Sequence, residues 1–162
     1  MVKEGACSEI LSLPQQQYVE VIDELVREAG LARITDVAER LDVRLPSASQ
    51  VVKRLVDNGL AVRNERLEVG LTARGRMIAE HLDRRHQALR RFMVDVMAMD
   101  ADRADELACR IEHCVDGRFA ERLVDLAEFL EREYPWAIKG IADHVRDKSA
   151  AEAETVTADM AI

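Results

Sequence analysis

TDVAERLDVRLPSASQVVKRLVDNGLAVRNERLEVGLT, residues Thr35 to Thr72, holds three local patterns whose order decides the fold. DVAERL (36–41) is a short helix with Val37, Ala38 and Leu41 turned inward and Thr35 as its cap. DVRL (42–45) then turns the chain into PSASQVVKRLVDNG. Pro46 starts this second helix, Val51, Val52, Leu55 and Val56 give it an apolar stripe, and Asn58-Gly59 closes it. Beyond Gly59, LAVRN and RLEVGLT alternate apolar and polar residues at period two, with only the Asn64–Arg66 neighbourhood between them, and so predict a small hairpin.

Upstream, Pro14 is followed by QQQYVEVIDELVREAG, where Tyr18, Val21, Ile22, Leu25, Val26 and Ala29 fall at helical spacing and Gly30 stops the helix, predicted as Gln15–Ala29. Three helices and then a hairpin is the order of a winged helix-turn-helix, in which the third helix enters the major groove and the hairpin touches the backbone. The same pattern occurs in small bundles that never meet DNA, so residue chemistry has to add to it. The third helix opens on the short side chains of Ser47, Ala48 and Ser49 with Gln50, suited to base edges and phosphates, and Lys53 and Arg54 follow. Arg44, Ser47, Ser49, Gln50 and Lys53, with Arg63 and Arg66 in the wing, are the candidate DNA contacts.

Downstream the chain is predicted to be wholly helical. Ala73–Met97 forms one long helix and Asp100 starts another that runs to about Val115. Gly117 precedes FAERLVDLAEFLERE, whose Phe119, Leu123, Leu126, Ala127 and Leu130 share a face and make it the main dimerisation candidate, although such a stripe also serves as ordinary core. Tyr134-Pro135-Trp136 breaks this helix before a last short one near Ile138–Val145. The fold class is therefore mainly α: an N-terminal tail (1–13), a winged helix-turn-helix DNA-binding domain (14–76), a further all-helical domain (77–146) and a flexible C-terminal tail (147–162).

The formal net charge of −8 opposes a nucleic-acid partner until it is divided. Leu31–Arg76 holds nine basic residues against six acidic, a balance of +3 that leaves −11 for the rest. A basic module joined to an acidic one fits a DNA-binding part attached to a sensor, though solvated helix faces also give such asymmetry. Cys7, Cys109 and Cys114 make no even disulfide framework. No apolar run approaches a membrane span, and Met1–Leu13 lacks the features of a signal peptide, so a reducing cytoplasm is expected.

Cys109, Glu112 and His113 stand at i, i+3 and i+4, which places all three side chains on one face of a helix about one turn deep. Thiolate, carboxylate and imidazole together suit a late divalent transition metal such as Fe²⁺, Mn²⁺, Co²⁺, Ni²⁺ or Zn²⁺. A half-buried cysteine beside a surface Glu-His pair gives the same spacing, so convergence from elsewhere is needed, and His86 and Glu20 are available. Cys114 points about 100° away from His113 on a helix and is expected in the core.

Taken together, YVEVIDELVREAGLARITDVAERLDV, LPSASQVVKRLVDNGL, LTARGR, RRHQALRRFM and IEH occur in an order and spacing that resemble the diphtheria-toxin-repressor and manganese-transport-regulator family, over Gln15–Trp136. The resemblance implies a homodimer that binds a double-stranded DNA operator, holds metal at the junction of its two domains and represses metal-uptake genes when metal is plentiful. Carried over by position, the ligands fall on Gln17, Glu20, His86, Cys109, Glu112 and His113. Cys109 stands where the manganese branch has a carboxylate and the iron branch a cysteine; Gln17 departs from both branches, and its amide is a weak donor. With no room for the small barrel domain common in the iron branch, the build resembles the manganese branch, so Mn²⁺ and Fe²⁺ both stay open as cofactor, with Co²⁺ and Zn²⁺ as substitutes. Two other classes remain: a winged-helix regulator with an organic ligand or no effector, whose Cys109, Glu112 and His113 are structural, and a metal-dependent hydrolase using Glu112 as base. The hydrolase lacks a second carboxylate pair, oxyanion donors and a phosphate loop. No enzyme activity, membrane or small organic substrate is expected.

Overall fold

The computed structural model describes residues 11–159, with side chains to residue 148; most of the expected N-terminal tail, Cys7 included, lies outside them. The chain forms two compact units, Met1–Arg85 and His86–Ile162.

In the first unit, α1 (Leu13–Ala29) starts two residues earlier than expected. Ser12 lies before Pro14, and its backbone N–H donates to Gln15 Oε1 at 3.0 Å, satisfying a helix-start donor that would otherwise be orphaned. At the other end Gly30 takes φ 77° and its N–H reaches Val26 O, the left-handed cap that glycine adopts without a Cβ penalty. β1 (Ala32–Arg33) leads into α2 (Ile34–Arg40), which turns into α3 (Leu45–Asp57). β2 (Ala61–Arg63) and β3 (Glu68–Leu71) make the hairpin at the expected place. Val19, Ile22, Val37, Val52, Leu55, Leu60 and Leu82 are the largest fully buried side chains, so α1, α2, α3 and the hairpin close on one apolar core.

Two expectations are corrected here. The sheet has three strands in the order β1-β3-β2, because Ala32 and Arg33 pair antiparallel with Val69 and Glu68. That pairing holds the chain extended up to Arg33, so α2 begins at Ile34 and Thr35 lies inside it, donating to Asp36 Oδ1 at 3.0 Å rather than capping.

α4 (Ala73–Arg91) is launched by Thr72, whose hydroxyl accepts from Gly75 N at 3.1 Å and donates to Gly59 O at 2.9 Å. Gly75 is required: a Cβ there would stand 2.1 Å from Leu60 O. The continuous helix expected to Met97 instead ends in a π-helical turn, Phe92–Val96, closed by Met97 N–H to Phe92 O at 3.2 Å.

In the second unit, Asp100 caps α5 (Ala101–Ile111) by accepting from Asp102 N and Arg103 N. Cys114 N–H then donates to Ile111 O at 2.7 Å, a tight turn that ends the helix short of the expected Val115. Cys114 is consequently exposed, not in the core. Asp116 accepts from Phe119 N and caps α6 (Gly117–Glu133), and Tyr134 separates it from α7 (Pro135–Asp159). α7 extends well beyond the short helix expected near Ile138–Val145, because the Ala-rich run that follows favours helix even without an apolar stripe. The core here is small: Leu89, Met93, Ala104 and Ala108, flanked by partly buried Val94, Met99, Leu107, Ile111, Val115 and Leu123. Phe119, Leu126 and Phe129 remain 43–49% exposed on α6.

Candidate metal centre and nucleic-acid interface

Two elements of the second unit bring four titratable side chains together: α4 supplies His86, and α5 with the turn after it supplies Asp105, Glu112 and His113. Glu112 is nearly buried, and a carboxylate taken out of water needs opposite charge or donors around it. Its Oε2 lies 3.0 Å from His86 Nδ1, and its Oε1 lies 3.6 Å from His113 Nε2. His86 turns its other nitrogen, Nε2, to Asp105 Oδ1 at 3.0 Å, and Asp105 also meets Arg90 Nε at 3.3 Å.

With a carboxylate at each ring nitrogen, both nitrogens donate, and the imidazolium form of His86 is favoured. Its pKa rises from 6.5 to about 9, chiefly through the hydrogen bond to Glu112, with Asp105 adding to the rise and burial opposing it. The buried carboxylate is thus balanced by an imidazolium proton. The buried Glu112 carboxylate with an imidazole on either side, His86 and His113, offers the kind of donors that divalent transition metals accept. The residues present fit such an ion.

Of the expected ligands, His86, Glu112 and His113 are assembled in this unit. His113 stands in the turn beyond α5 rather than on its helical face. Cys109, a turn before Glu112 on α5, is exposed. Glu20 and Gln17 sit one turn apart on α1 of the first unit, Glu20 half-buried and Gln17 exposed. The sequence reading missed Asp105, whose signal was available: Asp105, Cys109 and Glu112 at i, i+4 and i+7 form one stripe.

In the first unit, Arg44, Ser47, Gln50 and Lys53 are exposed along the start and outer face of α3, with Ser49 half-buried. Ala48, in the same turn, is fully buried in the core and so sets the depth of the helix instead of facing outward. Lys53 Nζ is held 3.0 Å from Asp57 Oδ2. Arg63 and Arg66 are exposed on the hairpin and make no ion pair among the described residues.

Asn64 builds the hairpin tip. Its backbone N–H donates to Glu68 O at 3.0 Å and its O accepts from Leu67 N at 3.1 Å. Its Oδ1 accepts from Arg66 N at 2.9 Å and from Glu68 N at 3.0 Å, and its Nδ2 donates to Glu68 Oε2 at 2.6 Å. Leu67, last residue of the turn, has φ 61° and is 56% exposed.

The domain described as "Iron dependent repressor, N-terminal DNA binding domain" matches residues 11–69, and "Iron dependent repressor, metal binding and dimerisation domain" matches residues 72–136. The diphtheria toxin repressor of Corynebacterium efficiens is 30% identical over 129 residues, covering 79% of this chain and 56% of that protein. That of Corynebacterium diphtheriae is 30% identical over 117 residues, covering 72% and 52%. The chain therefore spans about half the length of the curated relatives it matches. Among solved structures, IdeR of T. acidophilum superposes with a TM-score of 0.64 at 27% identity, covering 72% of this chain and 55% of that one. The manganese regulator SloR does so with a TM-score of 0.61 at 28% identity, covering 71% and 54%.

Proposed function

This chain belongs to the iron-dependent repressor family of metal-dependent regulators, and on that premise we propose that it is a cytoplasmic, homodimeric, metal-activated repressor of manganese or iron uptake genes. The observation that carries the reading is the buried Glu112 between His86 and His113. We assign the DNA-binding part to residues 14–76 and the metal-binding and dimerising part to residues 77–146.

His86, Glu112 and His113 are the central ligands, with Cys109, Glu20 and Gln17 as the further donors that family membership implies. Bound there, a divalent Mn²⁺ or Fe²⁺ supplies the positive charge that the carboxylates otherwise take from the His86 imidazolium. To serve as a ligand, His86 gives up its proton and turns a lone pair inward, while Glu112 keeps its charge. Asp105 would keep the remaining Nε2–H of His86, as well as Arg90, when the proton facing Glu112 leaves. Control of DNA affinity further requires that these residues hold the ion more tightly in the DNA-competent state than in the other, since equal affinity shifts nothing.

Arg44, Ser47, Ser49, Gln50 and Lys53 on α3, and Arg63 and Arg66 on the hairpin, are the proposed contacts to duplex DNA. Phe119, Leu126 and Phe129 fall at i, i+7 and i+10, on one side of α6, and are the proposed centre of the dimer contact. The test is anisotropy with promoter DNA of a metal-transporter gene, with and without Mn²⁺ or Fe²⁺. Wild type binds only with metal, whereas Glu112→Ala stays folded and loses the metal response. A Glu112→Ala variant that keeps the wild-type response rules this centre out.

A further inference from the structure

The tip of the hairpin has a leucine where the backbone asks for something else. Asn64 to Leu67 form a turn closed by Leu67 N–H to Asn64 O, and Leu67 follows in the left-handed region, the place that glycine or asparagine occupies in a turn of this kind. An L side chain there crowds its own backbone, and leucine has no polar group with which to relieve the crowding. Packing does not explain the choice either, since Leu67 is more than half exposed and belongs to neither core cluster. A strained, solvent-exposed apolar side chain on a rigid tip is the kind of outlier from which a function can be argued.

Its setting identifies the partner. Arg63 and Arg66 flank the tip without ion pairs among the described residues, but Glu65 and Glu68 cancel them formally. Attraction to phosphate alone therefore gives this hairpin little. What it presents is an exposed apolar knob on a hairpin that also carries two exposed cations, and the sugar walls of a DNA minor groove are apolar surfaces bordered by phosphates. We propose that Leu67 is an apolar minor-groove contact, packing against deoxyribose while Arg63 and Arg66 reach the phosphates on either side. The inference rests on the winged-helix reading above and deepens it: α3 reads base edges, and Leu67 reads groove width.

The experiment uses the full chain loaded with Mn²⁺ and a duplex selected by it from a random pool. Leu67→Asn and Leu67→Gly both fit the left-handed backbone, so both raise the unfolding temperature; both also lower affinity about tenfold. Leu67→Met keeps the apolar surface and keeps the affinity. Because no phosphate contact is lost, the slope of log affinity against log salt stays at the wild-type value, whereas Arg66→Ala makes it shallower by about one. Hydroxyl-radical cleavage, which reports sugar exposure, shows minor-groove protection beside each half-site in wild type and its loss in Leu67→Asn. Wild-type affinity in Leu67→Asn and Leu67→Gly overturns the contact, as does a salt slope that falls with the affinity. Lower unfolding temperatures overturn the strain argument. If wild type selects no duplex under any divalent metal, the winged-helix reading itself fails.

Discussion

The His86 imidazolium makes a demand that can be measured without metal or DNA. Its folded pKa, about 9, lies above the 6.5 of the unfolded chain, so the protein holds that proton more tightly when folded. The stabilisation is complete below pH 6.5 and is lost as pH rises through about 9. At about 1.4 kcal/mol per unit, the rise is worth about 3 kcal/mol, and since the side chain is only 19% exposed little of this is lost to solvent screening. His86→Gln removes the titration, because an amide cannot supply the proton that balances Glu112. Urea unfolding of EDTA-treated protein at about pH 6 and about pH 9.5 then forms a cycle. Wild type should lose about 3 kcal/mol more than the variant between the two conditions. Tyr18, whose phenol burial pushes above its usual 10, stays protonated over most of this range and cancels in the comparison. Equal losses in the two proteins refute the imidazolium clamp, and a larger loss in the variant reverses its sign.

Gly75→Ala sets two effects against each other: alanine favours an α-helix by about 1 kcal/mol, but its Cβ would lie 2.1 Å from Leu60 O and 3.2 Å from Leu71 Cβ. The clash is with backbone, which cannot swing aside, so a net loss of about 2 kcal/mol is expected in urea unfolding, and a gain would contradict the close approach. Cys109 as a ligand requires an intense near-ultraviolet charge-transfer band in the Co²⁺ protein that disappears in Cys109→Ser; without it in wild type, the thiolate is no ligand and the preference for softer metals goes with it.

Most of the first unit was legible because its signals are periodic. Val51, Val52, Leu55 and Val56 recur at helical spacing, and the alternation in RLEVGLT matches the buried Val69 and Leu71 of β3. Two-residue β1 has no period to detect, and the misplaced cap at Thr35 follows from missing it, since the pairing of Ala32 and Arg33 sets where α2 can begin. Past Gly59 the hairpin was visible but the backbone of its tip was not, because nothing in RNERLE announces a leucine in the left-handed region. In the second unit no residue before Gly117 signals a helix stop, so the turn at Ile111–Cys114 could not be read, and Cys114 was assigned to a helical face that does not exist. Spacing did single out Glu112 and His113, but it could not show that Glu112 is buried or that Asp105 shares His86 with it. Those facts depend on packing between elements, which one helix's periodicity does not contain.

The meagre interior of the second unit has a bearing on how much of this protein a cell must make. With Leu89, Met93, Ala104 and Ala108 at the centre, and Phe119, Leu126 and Phe129 among the apolar side chains left exposed, the dimer proposed above would couple the folding of this unit to its pairing. For a chain of that kind each tenfold dilution removes about 1.4 kcal/mol from the assembled state, so stability is a property of copy number as well as of sequence. For the metal-activated dimer proposed above, synthesis rate and metal supply would act on the same equilibrium, and a rise in either would populate the assembled form.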